Sequence, residues 1–288
     1  MHRWHKIGVA ILLLLLGACS GTNFVYNRLD FLVPWYMDDY VDLNQQQRQH
    51  LDETLAPLLA WHRNQELPQY VEILDGIGEK LNRPLTPGDI AGIFSELQTA
   101  WFRLEDRSLG WLLDLGADLS DAQVADFLGA LGKQQEEYQE EYLERSDKEF
   151  YQDSYDNMLD GVQDYLGTLS DEQRKLLREA SYQLLRSDHA WLQEREEWLQ
   201  RLAVLLQRQP GWQQRVREAV IDRREKIAPA YRRIFEHNMD VIYDALAKLL
   251  NGRTERQDRH LRSKLADLRE DLETLIAQGR QPAGSVEK

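Results

Sequence analysis

The chain has 288 residues, of which 42% are hydrophobic, so it is long enough to bury a sizeable core and too apolar to be disordered. Its mean hydropathy of −0.60 excludes a protein with many membrane spans, and its single cysteine excludes an intrachain disulfide framework and a zinc site built from paired cysteines. The formal net charge of −14 argues against a nucleic-acid partner, because phosphate binding depends on clustered lysines and arginines.

The amino end has the pattern of a secretory signal. A basic head over residues 2–6 precedes an almost unbroken aliphatic stretch over residues 7–16, and small residues follow. As a helix, the apolar stretch up to Ala18 would rise about 18 Å, which is too short for a hydrocarbon layer of about 30 Å. The sequence therefore predicts a cleaved signal peptide over residues 1–18.

Leu16-Gly17-Ala18-Cys19 resembles a bacterial lipobox. The resemblance implies that Cys19 receives a diacylglyceryl thioether, is cleaved free at its amino side and is then N-acylated. The alternative is an ordinary signal peptide followed by an incidental cysteine. Cleavage removes two basic residues and changes the formal charge from −14 to −16, so anionic headgroups would repel the mature protein and lipid would have to hold it at the membrane.

The residue after the cysteine bears on which membrane holds the protein. An aspartate there would suggest retention in the inner membrane, and by resemblance to sorting in enteric bacteria Ser20 favours the outer membrane. We therefore expect a protein anchored by lipid to the periplasmic face of the outer membrane of a Gram-negative bacterium, with the inner membrane as the less favoured location.

Four helix starts share one signature, in which a leucine precedes a capping residue and a Gln or Asp stands three positions further on. That residue can accept a hydrogen bond from the backbone N–H of the cap, which completes a capping box. Pro87 occupies the first helical position after one of these caps, where its missing N–H costs nothing. The four pairs of cap and partner are Asn44 and Gln47, Thr86 and Asp89, Ser120 and Gln123, and Ser170 and Gln173.

Apolar residues at helical spacing fill the intervals between these starts. One face of the first run contains His62, and Pro57 within that run is expected to kink it. Two longer runs, over 170–207 and 212–250, each predict one long helix, and Asn251-Gly252 ends the second with turn and C-cap chemistry. A heptad seam near the carboxyl end comprises Leu261, Leu265, Leu268, Leu272 and Leu275.

No convincing alternation of polar and apolar residues predicts a strand. The expected fold class is all-α, an elongated antiparallel bundle of six to eight long helices with no β-sheet. After the signal peptide, the predicted organisation is a lipid-anchored segment with an aromatic and acidic motif over 19–43, a helical bundle over 44–278 and a flexible tail over 279–288.

The first candidate site lies in the anchored segment, where three carboxylates stand among aromatic rings. These groups could bind a cation, an amine or a basic peptide. The structural alternative is an aromatic plug packed on the bundle, with solvated acids and an N-terminal cap for the next helix. The residues concerned are Trp35, Asp38, Asp39, Tyr40 and Asp42.

The second candidate combines His62 and Arg63 with Trp61, Glu66 and Tyr70. A histidine beside an arginine and a glutamate could transfer protons, because its pKa is easily moved across neutrality. The structural alternative is a junction between helices whose polar groups tie the backbone ends together, and no nucleophile or second acid is placed by the spacing.

Two charged groups complete the candidates. An acidic ladder, interleaved with Tyr138 and Tyr142, could attract a divalent cation or a basic partner, although a charge run is usually a solvated face. Asp188 and Arg195 fall within an apolar stripe, where a buried charge must be paired. Antiparallel packing would place Asp188 near Tyr231 or Arg232 and Arg195 near Arg224 or Glu225, and we expect Asp188 to have a hydrogen-bond partner on the following helix. The ladder comprises Glu136, Glu137, Glu140, Glu141 and Glu144.

The chain lacks the common catalytic and metal-binding motifs. It has no Gly-rich phosphate loop, no HExxH and no Gly-x-Ser-x-Gly elbow, and no Glu stands three residues before His50, His62, His189, His237 or His260. We therefore predict no catalytic residue, no cofactor and no metal ligand.

Together, the lipobox and three segments identify a resemblance. WYMDDYVDL over 35–43, AWHRNQELPQY over 60–70 and EEYQEEYL over 136–143 are weak singly and distinctive together. The chain resembles the proteobacterial lipoprotein family of domain of unknown function 6279, from Tyr26 to about Leu250. That family carries no established activity, so the resemblance implies class and compartment and transfers no catalytic residue.

The leading hypothesis for function is a non-enzymatic envelope lipoprotein whose helical body binds an envelope protein or peptide, with no nucleic acid. The alternative is a ligand-binding or enzymatic bundle in which the segment of Asp38, Asp39 and Asp42 meets His62 and Arg63 around a pocket. A third hypothesis is a cation-binding module on the acidic ladder.

Overall fold

The computed structural model describes residues 21–280, so the predicted signal peptide, Cys19 and residues 281–288 lie outside the described part of the chain. Within residues 21–280 the secondary structure is helical and no strand occurs. The predicted all-α class is therefore confirmed.

The helices follow one another with short connections. We number the α-helices α1 to α12 in chain order and call the π-helical stretch between α3 and α4 the π-turn. They are Gly21–Tyr26 (α1), Leu29–Met37 (α2), Gln45–Trp61 (α3), His62–Glu66 (π-turn), Leu67–Lys80 (α4), Pro87–Asp118 (α5), Asp121–Leu143 (α6), Asp147–Leu166 (α7), Asp171–Ser181 (α8), Asp188–Leu205 (α9), Trp212–Glu225 (α10), Pro229–Asn251 (α11) and Glu255–Arg280 (α12).

The prediction of six to eight long helices was wrong, because both long apolar runs are broken. The second run breaks before Pro229, which starts α11; proline disfavours the helical conformation in the residue before it, and Ala228 is extended, with ψ 134°. In the first run, residues 182–187 leave the helix, and the amide of Asn238 bonds both the N–H and the C=O of Leu185 at 2.8 Å. Hydrogen bonds to a side chain of another helix thus stabilise this interruption.

All four predicted capping boxes are present. The structure adds two that the sequence analysis missed, one between Ser146 and Glu149 and one between Thr254 and Gln257. Each cap accepts a hydrogen bond from the third helical N–H, and the third residue accepts one from the cap N–H. The starts of α3, α5, α6, α7, α8 and α12 are therefore fixed by local sequence.

Four of these boxes face each other in pairs. The side-chain amides of Gln47 and Gln123 exchange two hydrogen bonds, at 3.0 and 2.8 Å, and join the starts of α3 and α6. Gln173 and Gln257 do the same at 3.0 and 2.8 Å, and join α8 to α12. In each pair, a glutamine therefore completes the capping box of its own helix and also links that helix to a second helix.

The heptad seam of α12 connects two core clusters, as its spacing predicts. Leu261 packs with residues of α7, α8 and α11, whereas Leu272 and Leu275 pack with α4 and with Tyr26 of α1. On α3, the predicted face buries Leu51, Leu55 and His62, and the helix continues through Pro57. Helix α12 runs to Arg280, so residues 279 and 280 belong to it and not to the predicted flexible tail.

Candidate functional site

A buried aromatic contact docks α1 on the helical body. The hydroxyl of Tyr26 lies 2.9 Å from Nδ1 of His62, and the hydroxyl of Tyr70 lies 3.3 Å from Nε2 of the same ring. All three side chains are buried. A neutral imidazole has one donor and one acceptor nitrogen, so the two hydroxyls match both. His62 thereby joins the amino-terminal helix to α4.

The π-turn places the buried polar groups of this contact. The N–H of Leu67 bonds the C=O of His62, five residues earlier, so one extra residue is inserted between α3 and α4. His62 and Glu66, at the two ends of the turn, both point into the protein and are 5% and 2% exposed. The segment is therefore a continuous helical path with one wide turn, whereas the sequence analysis considered a junction between separate helix ends.

Burial sets the protonation state of the contact. Burial, together with the smaller effect of the positive charge of Arg63, lowers the pKa of His62 to about 4. Burial raises the pKa of Tyr26 to about 12 and also raises the pKa of Tyr70. At neutral pH the imidazole and both phenols are consequently uncharged. The proton-transfer role considered for His62 would require a substrate to reach a ring that two tyrosines enclose.

A buried ion pair lies beside the imidazole. Arg103 of α5 donates three hydrogen bonds to the carboxylate of Glu66, at 2.9, 3.0 and 2.9 Å. The two-pronged geometry satisfies a carboxylate that is almost fully buried. The sequence analysis named Glu66 and missed Arg103, which stands 37 residues further along the chain. No local spacing could have identified the partner.

Polar contacts extend the docking of α1 to the carboxyl end of α12. Asn23 donates to Asp271, and Asn27 donates to Gln278 at 3.1 Å. Arg63 donates to Asn27 at 2.8 Å and lies over the ring of Tyr26, 5.1 Å from its centre. The two ends of the described chain therefore meet at the π-turn. We call this group of contacts the docking junction.

Gly279 allows the close approach at this junction. A Cβ atom built on Gly279 would lie 2.6 Å from Cδ and 2.9 Å from Cγ of Arg63, which is closer than van der Waals contact permits. The last turn of α12 can therefore pack against Arg63 because this position lacks a side chain. The sequence analysis assigned Gly279 to a flexible tail because the residues from 279 on are mostly Gly, Pro and charged.

The aromatic and acidic segment is only partly packed. Val41 and Leu43 belong to a core cluster with Leu51 and Leu115. The hydroxyl of Tyr40 lies 2.7 Å from that of Tyr36 and accepts a hydrogen bond from Gln134 at 3.3 Å. These contacts fit the predicted plug.

The acids of this segment and Trp35 face outward. Trp35 is 61% exposed, and Asp38, Asp39 and Asp42 are exposed as well. Arg48 pairs with Asp38 at 2.9 Å and with Asp42 at 3.3 Å, so one cation of α3 partly neutralises the group. Within the described residues, no three His, Cys, Asp or Glu side chains come together as metal ligands.

The structure separates the two predicted halves of a pocket. Asp42 lies before the start of α3 and His62 follows its end, so about 27 Å of helix stand between Asn44 and His62 at 1.5 Å per residue. Two surface grooves, one between α8 and α11 and one at the start of α12, are lined by other residues. The geometry therefore gives no support to a shared pocket of the acids with His62 and Arg63.

The acidic ladder lies at the surface, whereas Asp188 is buried with partners other than those predicted. All five ladder glutamates are exposed, while Tyr138 pairs its ring with Trp191 on the inner side of α6. Asp188 is buried, as predicted, but its partners are Arg145 at 2.8 Å and Arg186 at 3.0 Å, and not residues of the following helix. The prediction failed because this part of α9 packs on α6.

Arg195 has its hydrogen bond on α6, and not with Arg224 or Glu225, near which it was predicted to lie. Arg195 donates to Gln134 of α6 at 2.6 Å, and its guanidinium lies over the ring of Tyr138. Instead, Arg224 pairs with Glu105 of α5. Arg195 therefore has its polar contacts on α6, whereas Asp188 pairs with arginines of the connections that follow α6 and precede α9.

Comparison with known proteins gives one match. The model of a family described as a family of unknown function, DUF6279, matches residues 39–232, which is more than half of the chain. No curated protein matches, and no solved structure matches. Among the described residues, no helix combines the length and the apolar character needed to cross a bilayer.

Proposed function

The chain belongs to DUF6279, a family of unknown function, and on that premise we propose that it is a lipid-anchored envelope protein with a non-enzymatic binding body. Acylated Cys19 would hold the mature protein at the periplasmic face of the outer membrane. The helical body would present its surface to an envelope protein or peptide.

The docking junction carries this proposal. Gly21, the first residue of α1, stands two residues after Cys19, and α1 is fixed to the body by Tyr26 and its contacts with His62. A flexible leash would leave a lipid-anchored domain free to rotate, whereas a docked first helix gives the body a defined position relative to the membrane. A binding protein that must face one way benefits from that arrangement.

The pKa and the contacts of His62, the candidate residue best suited to proton transfer, also support a non-enzymatic body. A general acid or base works best with a pKa near the working pH and must reach the proton that it transfers. Burial lowers the pKa of His62 to about 4, and the ring contacts two tyrosines. Glu66 likewise has both oxygens engaged by Arg103. These groups serve packing in the structure.

Metabolic labelling tests the anchor. Cells that express the chain and grow on radioactive palmitate should incorporate label into the wild type and not into Cys19→Ser, which lacks the chain's only thiol. The Ser20→Ala variant is the matched control and should be labelled fully. Label in Cys19→Ser, or none in the wild type, would refute lipid attachment at this residue.

Membrane fractionation tests the location. The wild type should sediment with the outer membrane, while Ser20→Asp should move toward the inner membrane. Unchanged sorting of Ser20→Asp would remove the argument that Ser20 directs the protein outward.

Site-specific crosslinking tests the binding body. A photoreactive residue at exposed Asp39 should capture the same envelope protein repeatedly, and one at exposed Thr274 serves as the control position on α12. Equal capture at both positions would argue against a specific partner at Asp39. No capture at Asp39, together with a bound metabolite that purifies with the protein, would favour the ligand-binding alternative.

A further inference from the structure

Helix α2 is apolar, but it is only partly covered: six of its residues are half-buried, and Asp30, Phe31 and Trp35 are exposed. Its sequence is LDFLVPWYM, in which Asp30 is the one charged residue, and none of its nine residues is buried. Apolar helices of soluble domains normally bury one stripe against a neighbour. Some other surface is therefore expected to cover part of α2.

Three of the exposed side chains on α1 and α2 are large aromatic rings. Phe31 and Trp35 are four positions apart and share one side of α2, and they are 63% and 61% exposed. Phe24 of α1 is equally exposed, at 63%, and the guanidinium of Arg28 lies 5.1 Å from the centre of its ring. We call Phe24, Phe31 and Trp35 the aromatic face.

We propose that the aromatic face inserts into the interfacial region of the phospholipid bilayer that holds acylated Cys19. This inference rests on the proposed function, because it takes the lipid on Cys19 as given. It goes further by assigning a second, non-covalent membrane contact to named residues of α1 and α2.

The length of the tether supports the bilayer as the occupant. Phe24 stands five positions after Cys19, and five steps of the chain span at most about 18 Å when fully extended. An acylated Cys19 lies at the membrane surface, so Phe24 stays close to the headgroups, and Phe31 and Trp35 follow it within eleven positions. Tryptophan is enriched at that depth, because its ring has an apolar body and a polar N–H, and phenylalanine is common on the apolar side of helices that lie in the interface.

The charges near the aromatic face are compatible with a lipid surface. Arg28, which stacks on Phe24, can approach lipid phosphates. The carboxylate of Asp30 accepts a hydrogen bond from the N–H of Phe31 at 3.0 Å, and Asp38, beyond the end of α2, pairs with Arg48.

Depth-dependent quenching tests the inference on the acylated protein. The lipid blocks the thiol of Cys19, so a cysteine introduced by Phe31→Cys is the only site for an environment-sensitive fluorophore. The protein is reconstituted in phosphatidylethanolamine and phosphatidylglycerol vesicles that carry a spin-labelled lipid. Tyr182→Cys is the matched control, because Tyr182 is also aromatic and 63% exposed but lies between α8 and α9.

We expect the fluorophore at position 31 to emit at shorter wavelength and to be quenched at least about threefold by a spin label near the headgroups, with little quenching at position 182. Trp35→Cys should repeat the result at position 35, and circular dichroism confirms that each variant is folded. Equal quenching at positions 31 and 182 would overturn the inference.

The same samples separate this inference from the proposed function. An intact mass without acyl chains overturns the anchor and the inference together. An acylated protein whose position 31 stays unquenched overturns the inference alone. A photoreactive residue at position 31 that captures a protein in cells, and no lipid, would likewise replace the bilayer by a protein partner.

Discussion

The buried imidazole of His62 makes folding sensitive to acid. In the unfolded chain its pKa is the ordinary value near 6.5, and burial lowers it to about 4 in the folded protein. Between these values the unfolded state binds more protons, so the free energy of unfolding must fall as the pH falls. The stabilising effect is complete above about pH 6.5 and is lost on the way to pH 4.

We therefore predict that lowering the pH from 7 to 4 removes about 3 kcal/mol of stability through this residue, since each pKa unit corresponds to about 1.4 kcal/mol. Urea unfolding followed by circular dichroism at several pH values measures it. The His62→Gln variant cannot titrate and should show a flatter dependence over this range. An equal slope in both proteins would contradict the assignment.

The ion pair of Glu66 and Arg103 gives a second prediction. Arg103→Met should lower the free energy of unfolding by about 3 kcal/mol, because it leaves a carboxylate that is 2% exposed without its partner. Glu66→Gln combined with Arg103→Met should recover part of the loss, since the buried charge is then gone. If Glu66 could be hydrated in the Arg103→Met variant, the double variant would be no more stable than Arg103→Met alone, and that result would contradict the prediction.

At the scale of the helices, the sequence reveals starts better than ends and neighbours. The four predicted capping boxes depend on residues three apart, so their physics is local. The break at residues 182–187 depends on Asn238, which is distant in the chain and becomes a neighbour only when α8 packs on α11. Local periodicity could not indicate it. Pro229 was a local signal for the second break, but the sequence analysis gave more weight to the apolar pattern that runs across it.

The paired capping boxes lead to a third prediction. Gln173→Ala removes both the bond from the Ser170 N–H and the exchange with buried Gln257, so it should cost about 2 kcal/mol. Glu149→Ala is the matched control, because Glu149 closes an exposed box at α7 with no partner glutamine, and it should cost about 1 kcal/mol.

Thermal and urea unfolding compare the two variants at pH 7. In a double-mutant cycle, Gln173→Ala and Gln257→Ala should be strongly non-additive, since either change breaks the same amide pair. Additive effects would show that each glutamine acts only within its own helix start.

At the scale of the whole molecule, the sequence predicts the fold class but not how the helices pack together. Composition and periodicity predict an all-α chain, and the seam of α12 is correctly placed in the core. The candidate site was predicted only in part: His62 and Arg63 were named for their chemistry, and the structure gives them a role in docking α1. That role depends on Tyr26 and on the end of α12, which lie at opposite ends of the chain. Such contacts follow from the fold and from no local spacing.

The central claim is that α1, the first described helix, is rigidly docked to the body. A spin-label distance measurement between Phe24→Cys on α1 and Thr274→Cys on α12, in the acylated protein in lipid nanodiscs, tests it most directly. We predict one narrow distance distribution, which Tyr26→Ala should broaden because it removes the ring that His62 and Arg63 hold. A broad distribution already present without Tyr26→Ala would contradict the claim.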